Sequence, residues 1–189
     1  YYQPQFELAT GNIVGVEALL RWHSLELGEV SPAEFIPIAE KSLLILPIGR
    51  WVYQTACEAV KRIERERNIA LRMAVNVSGV QLIQDGFCDR VMSRLKEYDL
   101  APERLELEIT ESVLINKETN AINQLNHLSA LGVRIALDDF GTGYSTLSLL
   151  KDLHVSTIKI DRSFIQDENA YVMNHVLVRL GHILGAKVV

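Results

Sequence analysis

Short apolar runs alternate with longer amphipathic stretches along the whole chain. Ile13–Leu20 reads as a strand, after a turn at Ala9–Asn12. Ser31 as N-cap and Pro32 at the first helical position open a short helix through Glu40. Pro47–Glu66 reads as a helix, with Val52, Ala56, Val60 and Ile63 on one face. Strands are predicted at Leu71–Asn76, Leu105–Thr110, Val133–Asp138 and Thr157–Asp161, and Lys187–Val189 begins another. Helices are predicted at Phe87–Tyr98, Lys117–Leu131, Ser145–Asp152 and Tyr171–Leu184, with Gly132 stopping the second of these. Strand and helix alternate throughout, which favours a parallel sheet flanked by helices. The pattern alone suits a barrel or an open doubly wound sheet equally.

The polar residues inside the strands separate the two. Side chains on a strand alternate faces with period two. In Leu105–Thr110 the apolar residues share one face, and Glu106 and Glu108 share the other. In Thr157–Asp161 the isoleucines share one face, and Lys159 and Asp161 share the other. Asn76 and Ser78 lie opposite the valines of the preceding strand, Asp138 follows Ala136, and Glu17 interrupts an apolar run. Five strands thus each carry a polar group near the C-terminal end. Such faces converge at one mouth of a barrel, whereas an open sheet covered on both sides would bury the charges badly.

Length, charge and cysteine content narrow the function classes. The 189 residues suffice for one domain with a sizeable core. A net charge of -5 argues against affinity for a nucleic-acid polymer. No apolar run approaches the roughly 18 residues of a membrane span. Cys57 and Cys88 lack metal-ligand spacing and read as buried thiols in a reducing cytoplasm.

A single acid at a strand end is more often a solvated loop residue or a helix cap. Glu106 fits that description, or that of an ion-pair partner inside the barrel. Glu17, Glu108, Asp138, Asp139 and Asp161 are harder to dismiss together. Carboxylates brought close repel unless they are protonated or bound to cations. A set rich in oxygen and free of histidine or thiolate points to Mg²⁺ or Mn²⁺. Two ions about 3.5–4 Å apart suit in-line hydrolysis of a phosphodiester. Asp138 and Asp139 are adjacent, so at most one keeps regular strand geometry. Asp138–Ser145 is glycine-rich but lacks a P-loop ending. The five histidines are scattered, the Lys61–Arg67 charge run reads as a solvated helix face, and Trp22 and Trp51 read as packing residues.

At this point the residues match a known pattern. Glu17-Ala18-Leu19-Leu20-Arg21-Trp22 resembles the signature of the EAL domain family. Further matches follow in family order: Tyr2-Gln3-Pro4, Phe35-Ile36-Pro37, Pro47-Ile48-Gly49, Asn76-Val77-Ser78 with Gln81, and Glu108-Ile109-Thr110-Glu111. The Asp138–Ser145 loop and Ile158–Phe164 complete the set.

The resemblance implies a TIM-like (β/α)8 barrel with an antiparallel first strand, and hydrolysis of cyclic di-GMP to linear pGpG. It implies that Glu17, Asn76, Glu108 and Asp138 coordinate metal, with Asp139 at a second ion and Asp161 nearby. Lys159 would contact the attacking water or the developing charge. Arg21 and Gln3 would bind substrate, and Glu111 would brace the Asp138–Ser145 loop. Glu17, Lys159 and Asp139 form the expected catalytic set. The family further implies a homodimer, and sensory or GGDEF domains attached in a longer protein, in the cytoplasm or as the cytoplasmic part of a membrane-anchored protein.

The match also has departures. Residues 1–189 read as a single EAL domain truncated at both ends: there is no initial methionine, and Lys187–Val189 stops before the family's Ala-Glu-Gly-Val-Glu stretch and its glutamate ligand. The barrel is therefore expected to be incomplete at the C-terminus. Asp167 meets Glu168 sooner than the family pattern has it, and Leu43 stands where the family usually has glycine. A non-catalytic EAL module that binds cyclic di-GMP as a receptor is the alternative. The filled metal positions favour the enzyme.

Overall fold

The architecture follows from the strand alternation. In a computed structural model, residues 1–115, 119–141, 153–161, 163–164 and 171–189 are described. The strands are β1 (Tyr2–Phe6), β2 (Ile13–Ala18), β3 (Trp22–Ser24), β4 (Gly28–Val30), β5 (Arg72–Asn76), β6 (Leu105–Thr110), β7 (Arg134–Phe140), β8 (Thr157–Ile160) and β9 (Lys187–Val188). Seven of them form one curled sheet in the order β1-β2-β5-β6-β7-β8-β9. β1 pairs antiparallel with β2, and each later pair is parallel. The antiparallel first strand and the one-way sheet agree with the expectation from sequence. The sheet is a partial barrel, with β1 and β9 at its two edges among the described residues.

The helices are α1 (Pro32–Lys41), α2 (Ile45–Arg67), α3 (Gly79–Leu82), α4 (Phe87–Glu97), α5 (Glu111–Ile115), α6 (Thr119–Ala130) and α7 (Tyr171–Ile183). The outward strand residues meet them. Leu105, Leu107 and Ile109 of β6 are almost wholly buried, as are Ile135 and Leu137 of β7. Each such side chain contributes roughly 1.5–3 kcal/mol of transfer free energy. α2 offers Ala56, Cys57, Ala59 and Val60 to the same core, and both cysteines are buried thiols. Ser31 caps α1 by accepting from the Ala33 amide, as the sequence predicts.

Three features go beyond the sequence pattern. α2 begins at Ile45, so Pro47 sits in its first turn, where no intrahelical N–H is required. The β3–β4 hairpin has only three residues per strand, too few to show a period. Leu43, in the turn between α1 and α2, has φ 61°, the left-handed region that favours glycine. That accounts for the glycine expected there. The helix expected at 145–152, the 167–168 junction, Lys117 and most of the 138–145 loop lie outside the described residues.

Candidate active site

The inward faces of β2, β5, β6, β7 and β8 present Glu17, Asn76, Glu108, Asp138 and Lys159. Strand register brings them level. Asn76 stands opposite Glu108, and Thr110 opposite Asp138. Glu17, Glu108 and Asp138 each offer an oxygen within 4.8 Å of the others. Lys159 Nζ donates to one oxygen of each: Glu17 Oε2 at 3.1 Å, Glu108 Oε2 at 2.8 Å and Asp138 Oδ2 at 3.0 Å. An ammonium has three N–H bonds, and all three are directed to carboxylates. Lys159 therefore meets three acids at once.

The second oxygens are placed differently. Glu17 Oε1 accepts from Asn76 Nδ2 at 3.1 Å. Asp138 Oδ1 accepts from the Asp139 amide at 3.0 Å. Glu108 Oε1 is buried with no hydrogen-bond partner. An orphaned buried carboxylate oxygen is costly in an apolar interior, and a cation would satisfy it. Three acids still face one ammonium, and every candidate ligand atom is oxygen. The set fits a hard divalent ion.

Electrostatics reflect the crowding. Burial pushes the Glu108 carboxyl up to about 8, with Glu17 and Asp138 adding to the rise and Lys159 opposing it. Burial works to lower Lys159, but the charges of Glu108, Asp138 and Glu17 outweigh it and hold the ammonium above its ordinary range. Asp139 is also raised, by burial first and then by Asp138 and Asp161. Asp139 and Asp161 are hydrogen-bonded to each other and form a second pair of acids beside the first group.

Asp139 shows how adjacent acids are accommodated. Its φ is 53°, and the β7–β8 register shifts between Leu137 and Phe140. This local break turns Asp139 out of the strand pattern while Asp138 stays inward. Just beyond it, the Gly141 amide donates to Glu111 Oε1 at 2.9 Å. Gly141 has φ 101°, and a Cβ there would lie 2.8 Å from the Phe164 ring.

The other expected site residues sit apart from this group. Gln3 is paired with Glu17 in the β1–β2 register, but its side chain is exposed. Arg21 folds its guanidinium back onto the Leu20 carbonyl at 2.7 Å, beside Tyr1, Tyr2 and Trp51 in a cavity of about 250 Å³. Glu106 is bound at the opposite end of the barrel interior: its Oε2 accepts from Arg134 Nε at 3.2 Å and Thr157 Oγ1 at 2.9 Å, with Arg72 at 3.7 Å. Glu106 is a buried ion-pair partner, one of the two readings its sequence position left open.

A family model described as the EAL domain matches residues 1–189. The chain belongs to the EAL domain family. This EAL domain is 43% identical over 192 residues to a protein of Pseudomonas aeruginosa named cyclic di-GMP phosphodiesterase PA2567, covering all of this chain and 32% of that protein. It is 40% identical to a second protein of that organism, the bifunctional diguanylate cyclase/cyclic di-GMP phosphodiesterase MucR, over 28% of its length. The EAL domain thus spans about a third or less of these curated relatives. Among solved structures, the MucR phosphodiesterase in complex with c-di-GMP superimposes with a TM-score of 0.91 at 40% identity, covering 99% of this chain and 77% of the other. The FimX EAL domain of P. aeruginosa bound to c-di-GMP superimposes with a TM-score of 0.87 at 27% identity, covering 99% and 76%. The partial barrel is that of an EAL domain.

The sequence missed the ties that hold the turn after β5 of this EAL domain in place. Ser78-Gly79-Val80-Gln81 carries the capping-box signature, which signals the start of α3. No sequence signal pointed to the bond between Ser78 and Glu40.

Proposed function

We propose that this EAL domain hydrolyses cyclic di-GMP to linear pGpG with the help of two divalent ions, Mg²⁺ or Mn²⁺. The observation that carries this reading is the meeting of Glu17, Glu108 and Asp138, from three strands, around Lys159. The names of its relatives supply the substrate.

Bound ions would lower the pKa of a water and polarise the phosphate. Glu17, Asn76, Glu108 and Asp138 would hold one ion, with Asn76 turning its oxygen inward for the purpose. Asp139 and Asp161 would hold the second. Overall one water is added: a bond from its oxygen to phosphorus forms, a P–O bond to a ribose 3′ oxygen breaks, and that oxygen leaves with a proton. Lys159, kept protonated by its acidic neighbours, orients the nucleophile's side of the site and offsets developing negative charge. Arg21 and Gln3 would contact the substrate, Arg21 with a fork suited to a phosphate. Glu111 braces the backbone after Asp139 through the Gly141 amide.

The same reading places the chain in a longer cytoplasmic signalling protein that forms a homodimer and carries sensory or GGDEF domains. The much greater length of the relatives, and the bifunctional name of one, support the attached domains. The experiment is incubation of the full-length protein with cyclic di-GMP and Mg²⁺ or Mn²⁺. Appearance of pGpG, and its loss on chelation or in Glu17→Ala, is expected. Tight binding without any product overturns the catalytic reading in favour of a receptor.

A further inference from the structure

Asn76 ends β5, and the turn after it is held from both inside and outside. The Val77 amide donates to the Glu108 carbonyl at 2.9 Å. Ser78 then caps α3: its Oγ accepts from the Val80 amide at 3.2 Å, and its own amide donates to Gln81 Oε1 at 3.1 Å. These bonds fix the turn from within. From outside, Ser78 Oγ donates to Glu40 Oε1 of α1 at 2.5 Å. Such a short bond to a carboxylate is of the charge-assisted kind. A second outside contact comes from α2, where Gly49 gives room to Gln81. A Cβ at position 49 would lie 1.9 Å from Gln81 Nε2.

We infer that Glu40 is a positioning residue for Asn76, acting through the Ser78 hydroxyl. This rests on the metal-centre reading above. Only Val77 separates Asn76 from Ser78, a reach of at most about 7 Å over two positions, so displacement of Ser78 is felt at the amide. The hydroxyl uses its one proton on Glu40 and accepts from Val80, which leaves it no free rotation. α1 and α2 thus grip the β5–α3 turn at two points, and the direction of the Asn76 amide is set from 36 positions away in sequence.

The test is Mn²⁺ titration by calorimetry on the full-length protein, without substrate, together with melting of the metal-free protein. Glu40→Ala and Ser78→Ala are each expected to weaken Mn²⁺ binding about tenfold, the scale of an outer-shell partner. The double variant loses no more than Ser78→Ala alone, which removes the bond to Glu40 together with the Val80 cap. Glu40→Gln retains an acceptor oxygen and stays within about twofold of the wild type. Variants that melt lower yet bind Mn²⁺ as the wild type does overturn the inference, as does Glu40→Gln losing as much affinity as Glu40→Ala. If Glu40→Ala does not fold, Ser78→Ala decides alone, and unchanged affinity there overturns the inference. Asn76→Ala separates the two readings. If it weakens Mn²⁺ binding while Glu40→Ala and Ser78→Ala do not, only this inference fails. If the wild type takes up no Mn²⁺, the metal centre fails and this inference with it.

Discussion

Lys159 Nζ lies 2.8 Å from Glu108 Oε2, and the Glu108 side chain has no exposed surface. The same ammonium is 3.0 Å from Asp138 and 3.1 Å from Glu17. Without a metal, it is the cation that these acids share. Lys159→Met leaves them facing one another with none. Removing one partner of a buried ion pair costs about 3–5 kcal/mol. The metal-free variant is expected to lose about 3 kcal/mol in denaturant unfolding, to recover much of it with Mn²⁺, and to form no pGpG. A variant as stable as the wild type without metal would contradict the role of Lys159 as internal counter-cation.

Glu108 titrates near 8, well above the ordinary carboxylate range, because it is buried. The folded, metal-free protein therefore keeps a proton that the unfolded chain releases at lower pH. Its stability falls as pH climbs from the ordinary carboxylate range towards about 8, then levels. Ion binding must expel that proton. Mn²⁺ affinity is expected to rise by up to about tenfold per pH unit below about 8 and to flatten above it. Calorimetry in buffers of different ionisation enthalpy counts the proton released. Affinity that does not change with pH would show Glu108 already ionised.

Leu43 holds φ 61° in the α1–α2 turn with its side chain more than half exposed. The left-handed conformation costs a non-glycine residue about 1–2 kcal/mol. Leu43→Gly relieves this but frees the unfolded chain, so the net gain expected is about 0.5–1 kcal/mol in denaturant unfolding. A loss of stability would mean that the leucine side chain makes a contact worth more than the strain.

Gly141 combines φ 101° with the Phe164 ring against the place a Cβ would take. Gly141→Ala is expected to destabilise by about 2 kcal/mol. It also disturbs the amide that donates to Glu111. Glu111→Ala, which removes the acceptor without crowding the turn, is expected to lower turnover about 10–100-fold with a smaller stability loss. Measuring turnover and unfolding on both variants separates the two effects.

How much of this was legible depended on element length and on register. Leu105–Thr110 keeps its predicted bounds at both ends, because its period-two pattern fills the whole strand. The same pattern could not tell Glu106 from Glu108, since each is a glutamate between apolar residues. Pairing decides: Glu108 stands opposite Asn76, while Glu106 stands opposite Arg134 and reaches Thr157. That sequence neighbours two positions apart serve opposite ends of the barrel follows from strand alignment, which no single strand encodes. The convergence of Glu17, Glu108 and Asp138 was foreseeable from their strand-end positions. The threefold contact of Lys159 was not, because it depends on three distances set by three different strands. Asp139 was expected to break the strand pattern if Asp138 kept it, and its positive φ is that break. The β3–β4 hairpin left no periodic trace.

The internal ammonium has one more consequence. It uses one oxygen of each acid and leaves Glu108 Oε1 bare, so the pocket is shaped before any ion arrives. For an ion taken up there, the carboxylates would already be gathered, and the steps left would be loss of the Glu108 proton and a turn of the Asn76 amide. Such a site would keep its acids together after the ion departs, so uptake would follow the supply of free ion without rebuilding the protein each time.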